Sequence, residues 1–156
     1  MRRSKLTPPP PLLVSEQVLS YALLGREHPF VPHEVIYIDG KRLGQAPCLA
    51  VTKNLFSGAL SVCYCDEEWN YLGSGAASKS LASTKRRVDR SYPGSRDRWI
   101  DTGTTKRQAM RQLREDNKEF TCSFCGRLPH DVQSVVTAKN ACICNICLAE
   151  LSAELR

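Results

Sequence analysis

Nothing in the sequence approaches the run of about 20 apolar residues that a membrane-spanning helix needs. The apolar core of a secretory signal is missing as well. Met1-Arg2-Arg3-Ser4-Lys5 makes a basic start, but four prolines, Pro8 to Pro11, follow it, and Leu12-Leu13-Val14 is cut short by Glu16 and Gln17. The proline run also argues against reading the paired arginines as a twin-arginine signal. Histidine is scarce: His28, His33 and His130 are scattered, and no nucleophile stands at a recognisable spacing from a base. Acidic residues are outnumbered, 16 against 22 Lys and Arg, and the resulting charge of +6 favours an anionic partner without bearing on the fold. These shortages predict a cytoplasmic protein with no membrane association and reduced thiols, and a binding protein in place of an enzyme.

Cysteine, by contrast, is abundant, with eight in 156 residues. In a reducing compartment that number points to metal ligation more than to disulfides. Their distribution is uneven, and so is that of charge. Residues 1–119 hold 19 basic and 13 acidic side chains, whereas 120–156 hold three of each. The chain therefore divides into a disordered, basic and proline-rich arm (1–11), a small α+β domain with a basic helical end (12–119), and a separate C-terminal module (120–156).

Within the middle domain the pattern predicts a short helix from Leu12 to about Gly25, capped by Ser15 and striped by Val18, Leu19, Ala22 and Leu23. Strands follow at 34–38, running into an Asp39-Gly40 hairpin turn, then at 49–52 and 60–65, with a turn at 66–68 and a return strand at 69–72. Ala77, Leu81, Val88 and Tyr92 recur at helical spacing behind Ser78 as the cap, and Pro93-Gly94 stops that helix. Thr105 and Gln108 have capping-box spacing for a second helix reaching about Asn117. Gly73-Ser-Gly-Ala-Ala-Ser78-Lys79-Ser80 is one residue short of a phosphate-binding loop, because Ser78 stands where glycine must precede the lysine. It reads as a small-residue loop capping a helix.

Cys122-Ser-Phe-Cys125 and Cys144-Asn-Ile-Cys147 are two C-x2-C pairs separated by 18 residues. Two residues between cysteines let a tight turn aim both sulfurs at one point. Two such pairs close a tetrahedron around one structural Zn²⁺ with no open position. The insert has room for a hairpin, Val132 to Val136 and Ala141 to Cys144 around a turn at 138–140. Cys147, Leu148, Leu151 and Leu155 then follow helical spacing, so the second pair sits at a helix N-terminus. Knuckle, hairpin and helix make a treble-clef-like module. Cys142 and His130 stand close enough in sequence to compete as ligands. Cys142 reads as a spare thiol and His130 as a hairpin or cap residue. Cys63 and Cys65 alternate onto one strand face as core thiols, and Cys48 has no second ligand set nearby.

Cys122-Ser123-Phe124-Cys125-Gly126, His130-Asp131-Val132 and Ile143-Cys144-x-x-Cys147 together resemble the zinc-binding domain of the ClpX family, the unfoldases of the Clp protease, over about residues 120–151. The resemblance implies a module that dimerises and docks adaptors, clients or unfolded proteins, linked to chaperone or proteolytic work. The larger apolar side chains of so small a module exceed what it can hide. Phe124, Val132, Val136, Leu148, Leu151 and Leu155 are therefore the candidate interaction surface, with a second copy of the chain as first partner and the N-terminal domain of the same chain as the alternative cover. A second class of function rests on residues 79–114, where 11 basic residues face three acidic ones. Lys85, Arg86, Arg87, Arg90, Arg107 and Arg111 are the candidate phosphate contacts for a nucleic acid, with the zinc module as stabiliser.

Overall fold

The structure, a computed structural model, describes residues 6–33, 36–38 and 40–155. Its class is α+β, as the pattern predicts, and it forms two compact units, Met1–Ala109 and Met110–Arg156.

The first unit begins with a correction. Leu12–Leu13 (β1) and Glu16–Leu23 (β2) form a hairpin where a helix was expected. Val14 and Ser15 turn it with left-handed backbone, φ 49° and 62°, the conformation a two-residue hairpin loop requires. β2 pairs along its length with Cys48–Asn54 (β5), so it is an interior strand buried on both faces. Such a strand lacks the alternation that identifies a half-buried one. An irregularity between Val18 and Ser20 breaks the period further, which is how its apolar residues come to mimic a helical stripe.

Between these strands lies a small hairpin, Tyr37–Ile38 (β3) and Lys41–Arg42 (β4), at the place the Asp39-Gly40 turn was expected. Gly40 is left-handed there (φ 74°), while Glu34, Val35 and Asp39 lie outside the described residues. β5 runs antiparallel to Leu60–Cys65 (β6), and β6 to Tyr71–Ala76 (β7). Trp69 is not in a strand. It occupies a left-handed position (φ 66°) in a turn that Asp66 holds by accepting from the N–H groups of Glu68 and Asn70 at 2.8 and 2.9 Å. β7 also takes up Gly73-Ser-Gly-Ala, so these residues form a strand and not the loop expected. A Cβ at Gly73 would meet Ile38 Cδ1 of the small hairpin, so the glycine lets the Ile38 side chain lie directly on β7.

Leu81–Ser91 (α1) follows, capped by Ser80 and not by Ser78: Ser80 Oγ accepts from Ser83 N–H at 3.2 Å, and Ser83 Oγ accepts from Ser80 N–H at 3.2 Å. Trp99–Asp101 (β8) then pairs with Ser20–Ala22, beyond the stretch of β2 paired by β1. The sheet thus runs β1-β2-β5-β6-β7, with β8 added on β2. One face packs Val18, Tyr21, Cys48, Cys63, Cys65 and Trp69. Residues 6–11, expected as a disordered arm, contribute here: Leu6 packs against this cluster, and Trp69 Nε1 donates to Thr7 O at 2.7 Å. The other face packs Leu49, Val62 and Tyr64 against Val88 and Tyr92 of and beside α1. Lys106–Asp116 (α2) starts at the capping box expected, with Thr105 N–H donating to Gln108 Oε1 at 2.8 Å and Gln108 N–H to Thr105 Oγ1 at 3.2 Å.

The second unit holds the hairpin Val135–Ala138 (β9) and Ala141–Cys144 (β10), then Asn145–Glu154 (α3). β9 starts three residues later than expected, because Pro129–Asp131 makes a 3-10 turn and Val132 follows it outside the strand. No described helix is long and apolar enough to cross a membrane.

Candidate metal centre

The first C-x2-C pair sits in a knuckle closed by two backbone bonds. Gly126 N–H donates to Cys122 O at 2.8 Å, and Cys122 N–H donates to Arg127 O at 3.0 Å. Gly126 is left-handed (φ 71°), a conformation that costs glycine nothing and turns the chain back under the sulfurs. Ser123 fastens the knuckle to β10. Its N–H donates to Cys142 O at 2.8 Å and its Oγ accepts from Cys142 N–H at 3.0 Å. The second pair is set by α3. Cys144 is the N-cap, its Sγ accepting from Cys147 N–H at 3.5 Å, so both sulfurs lie at the positive end of the helix dipole.

Asn145 was not singled out in the sequence. Its Oδ1 accepts from the N–H groups of Gln133 and Ser134 at 3.1 and 3.3 Å, and its own N–H donates to Ser134 O at 3.0 Å. It therefore ties the entry to β9 to the start of α3. The only local signal was an asparagine between two ligands, with no cue to its partner 11 residues upstream.

The result brings the Sγ atoms of Cys122, Cys125, Cys144 and Cys147 within 4.8 Å of one another. Four sulfurs at 2.3 Å from a tetrahedral zinc stand about 3.8 Å apart, and Cys125 and Cys144 are 3.7 Å apart. The donor set and its spacing fit Zn²⁺. The electrostatics agree. Cys122 is drawn down to about 6, mainly because its sulfur accepts from the N–H of Cys125, with Cys144 and Phe124 adding their N–H groups against the opposing effect of burial. Cys144 is drawn down by the N–H of Cys147. Cys147 is pushed up to about 12, first by its hydrogen bond to Cys125 and then by burial. Thiolates this crowded retain a proton between them, and a divalent cation is the natural replacement for it.

The competing candidates fall outside the tetrad. Cys142 is buried, and its thiol donates to Glu119 O at 3.0 Å. His130 lies exposed in the 3-10 turn. Cys48, Cys63 and Cys65 belong to the sheet core, and burial pushes Cys48 and Cys65 up to about 12. Among the described residues, no further group of three or more metal-ligating side chains comes together.

Of the six apolar candidates for an interaction surface, Phe124, Val136, Leu148, Leu151 and Leu155 are exposed. Val132 is half-buried. It packs with Ile143 and Ile146 against the cysteines, because it lies outside the strand whose alternation was to turn it outward. Of the six basic candidates, Arg86, Arg90, Arg107 and Arg111 are exposed. Lys85 is engaged within its unit, 2.9 Å from the Asp101 carboxylate and 5.8 Å from the centre of the Trp99 ring. Arg87 donates to Ala76 O.

Residues 121–154 match the family model of the ClpX C4-type zinc finger. No curated protein and no solved structure matches the chain. The match covers the whole tetrad, so this segment is a ClpX-type zinc finger whose four cysteines are positioned for one structural zinc ion, and such a finger points to zinc binding and protein interaction.

Proposed function

We propose that the chain is a cytoplasmic interaction protein without enzymatic activity. Its zinc finger self-associates and docks a protein client or an adaptor of Clp-type proteolysis. The observation that carries this reading is the apolar surface of the module. Cys122, Cys144, Cys147, Val132, Ile143 and Ile146 make its interior around the metal. Leu148 and Leu151 on α3 and Leu155 at its C-cap, spaced i, i+3 and i+7, remain 43%, 37% and 88% exposed. Phe124 and Val136 add 63% and 54% exposure on the same module. Burying such area is worth about 25 cal/mol per Å², and a second copy of the same face is the simplest cover, since a two-fold interface is self-complementary.

Light scattering at high micromolar concentration tests it. The wild type is expected to be a dimer. Leu151→Asp is expected to be monomeric with one zinc per chain retained, because it sets an unpaired charge in the contact. A wild type that is already monomeric contradicts the reading.

A second reading draws on Arg107, Arg111 and Arg114, which follow helical spacing along α2 and are all exposed. They suit the phosphates of a nucleic acid. A salt titration of DNA or RNA binding separates the two readings, because phosphate contacts give a steep salt slope.

A further inference from the structure

The four ligands are not equivalent. Cys122, Cys144 and Cys147 are buried, whereas Cys125 is exposed. A side chain from outside the tetrad also reaches it: Arg127 Nη1 donates to its Sγ at 3.4 Å, and the same guanidinium interacts more weakly with Cys144. Arg127 itself is exposed, two residues along the knuckle, held there by the bond from Cys122 N–H to its carbonyl. We infer that Cys125 is the ligand through which the zinc site is opened, and that Arg127 is a positioning residue that keeps it closed. This goes beyond self-association and client docking, and rests only on the tetrad.

A zinc bound by four thiolates leaves two net negative charges in the site, and a reagent from solvent meets them first at the exposed sulfur. A thiolate attacks an electrophile with a sulfur lone pair, and that pair is least available when a cationic donor is hydrogen-bonded to it. The guanidinium offers a fixed charge and a planar fork of donors, which a lysine ammonium reproduces in charge but not in shape. Removing outer partners of metal ligands typically costs about 10- to 100-fold in metal retention. Arg127 is a cationic side chain bonded directly to a ligand sulfur.

The experiment uses the full chain loaded with zinc and a limiting amount of N-ethylmaleimide, a neutral electrophile. The thiolate sulfur adds across the maleimide double bond, the ring carbon takes a proton from water, and the alkylated sulfur leaves the metal. Zinc release is followed with a coloured chelator, and the first adduct is located by mass spectrometry. In the wild type, the first adduct that releases zinc is expected on Cys125. Arg127→Ala is expected to carry one zinc per chain at the start and to release it about 10-fold faster, with Arg127→Lys between the two. A first adduct on Cys122, Cys144 or Cys147 overturns the inference. So does Arg127→Ala releasing zinc within two-fold of wild type, or lacking zinc from the outset, since that would make Arg127 an assembly residue. A wild type without zinc would instead overturn the metal centre itself, which keeps the two failures distinct.

Discussion

The sheet unit and the zinc module both bury cysteines, and they put them to opposite uses. In the sheet, Cys48 and Cys65 face each other across β5 and β6 beside Ala50 and Trp69, with burial pushing both thiols up to about 12. They are protonated, inert packing groups. In the module, Cys122 and Cys144 are just as inaccessible, but backbone N–H groups point at their sulfurs and draw both down, Cys122 to about 6. Burial alone makes a cysteine a small apolar residue. Burial together with aimed donors makes it a ligand. The sheet unit is therefore held by side-chain packing on two faces, whereas the module replaces a core with a metal.

That contrast predicts a hierarchy of effects. The largest follows zinc removal. Structural zinc contributes on the order of 10–16 kcal/mol of folding free energy in such sites. A chelator is expected to abolish amide protection over 121–154 while leaving β2, β5 and β6 protected, and hydrogen exchange followed by mass spectrometry reads this. Equal loss in both regions would end the distinction. Next comes Leu49→Ala, a fully buried side chain in the middle of β5. It should cost the sheet about 2–5 kcal/mol in a denaturant titration, with one zinc per chain unchanged. The smallest effect is Ser80→Ala, which removes the cap of α1 and should cost about 1 kcal/mol, read as a modest shift in the sheet unit's denaturation midpoint. Loss of zinc in either variant would show that the units do not stand apart energetically.

How much of this was legible in the sequence follows the same division. The metal centre was readable because its ligands are constrained locally. Two residues between cysteines, a glycine after the second and a helix start at the third suffice to place the sulfurs. β6, with residues 60–65, was readable as a short apolar run holding Val62 and Tyr64 and closed by the Asp66-Glu67-Glu68 turn. β2 was not. Side chains pack against both of its faces, Val18 and Tyr21 on one and Ala22 on the other, and a strand buried on both faces carries no period of its own. The turn before it hid as well, since Val14 and Ser15 are not residues that advertise left-handed backbone. Ser78 and Ser80 are equally good caps on paper. What decides for Ser80 is that β7 extends to Ala76 and Ser78 N–H is taken by Thr84 Oγ1 at 3.0 Å. The role of Asn145 depends on a loop 11 residues away, and only the folded module brings the two together.

The central claim is that one zinc is held by Cys122, Cys125, Cys144 and Cys147, with Cys142 uninvolved although it lies two residues from a ligand. Native mass spectrometry of two single variants of the full chain tests this most directly. Cys125→Ser is expected to carry no zinc after dialysis against a weak chelator, and Cys142→Ser to carry one per chain like the wild type. Retention of zinc by Cys125→Ser together with its loss from Cys142→Ser would contradict the account and assign the site to a different set of sulfurs.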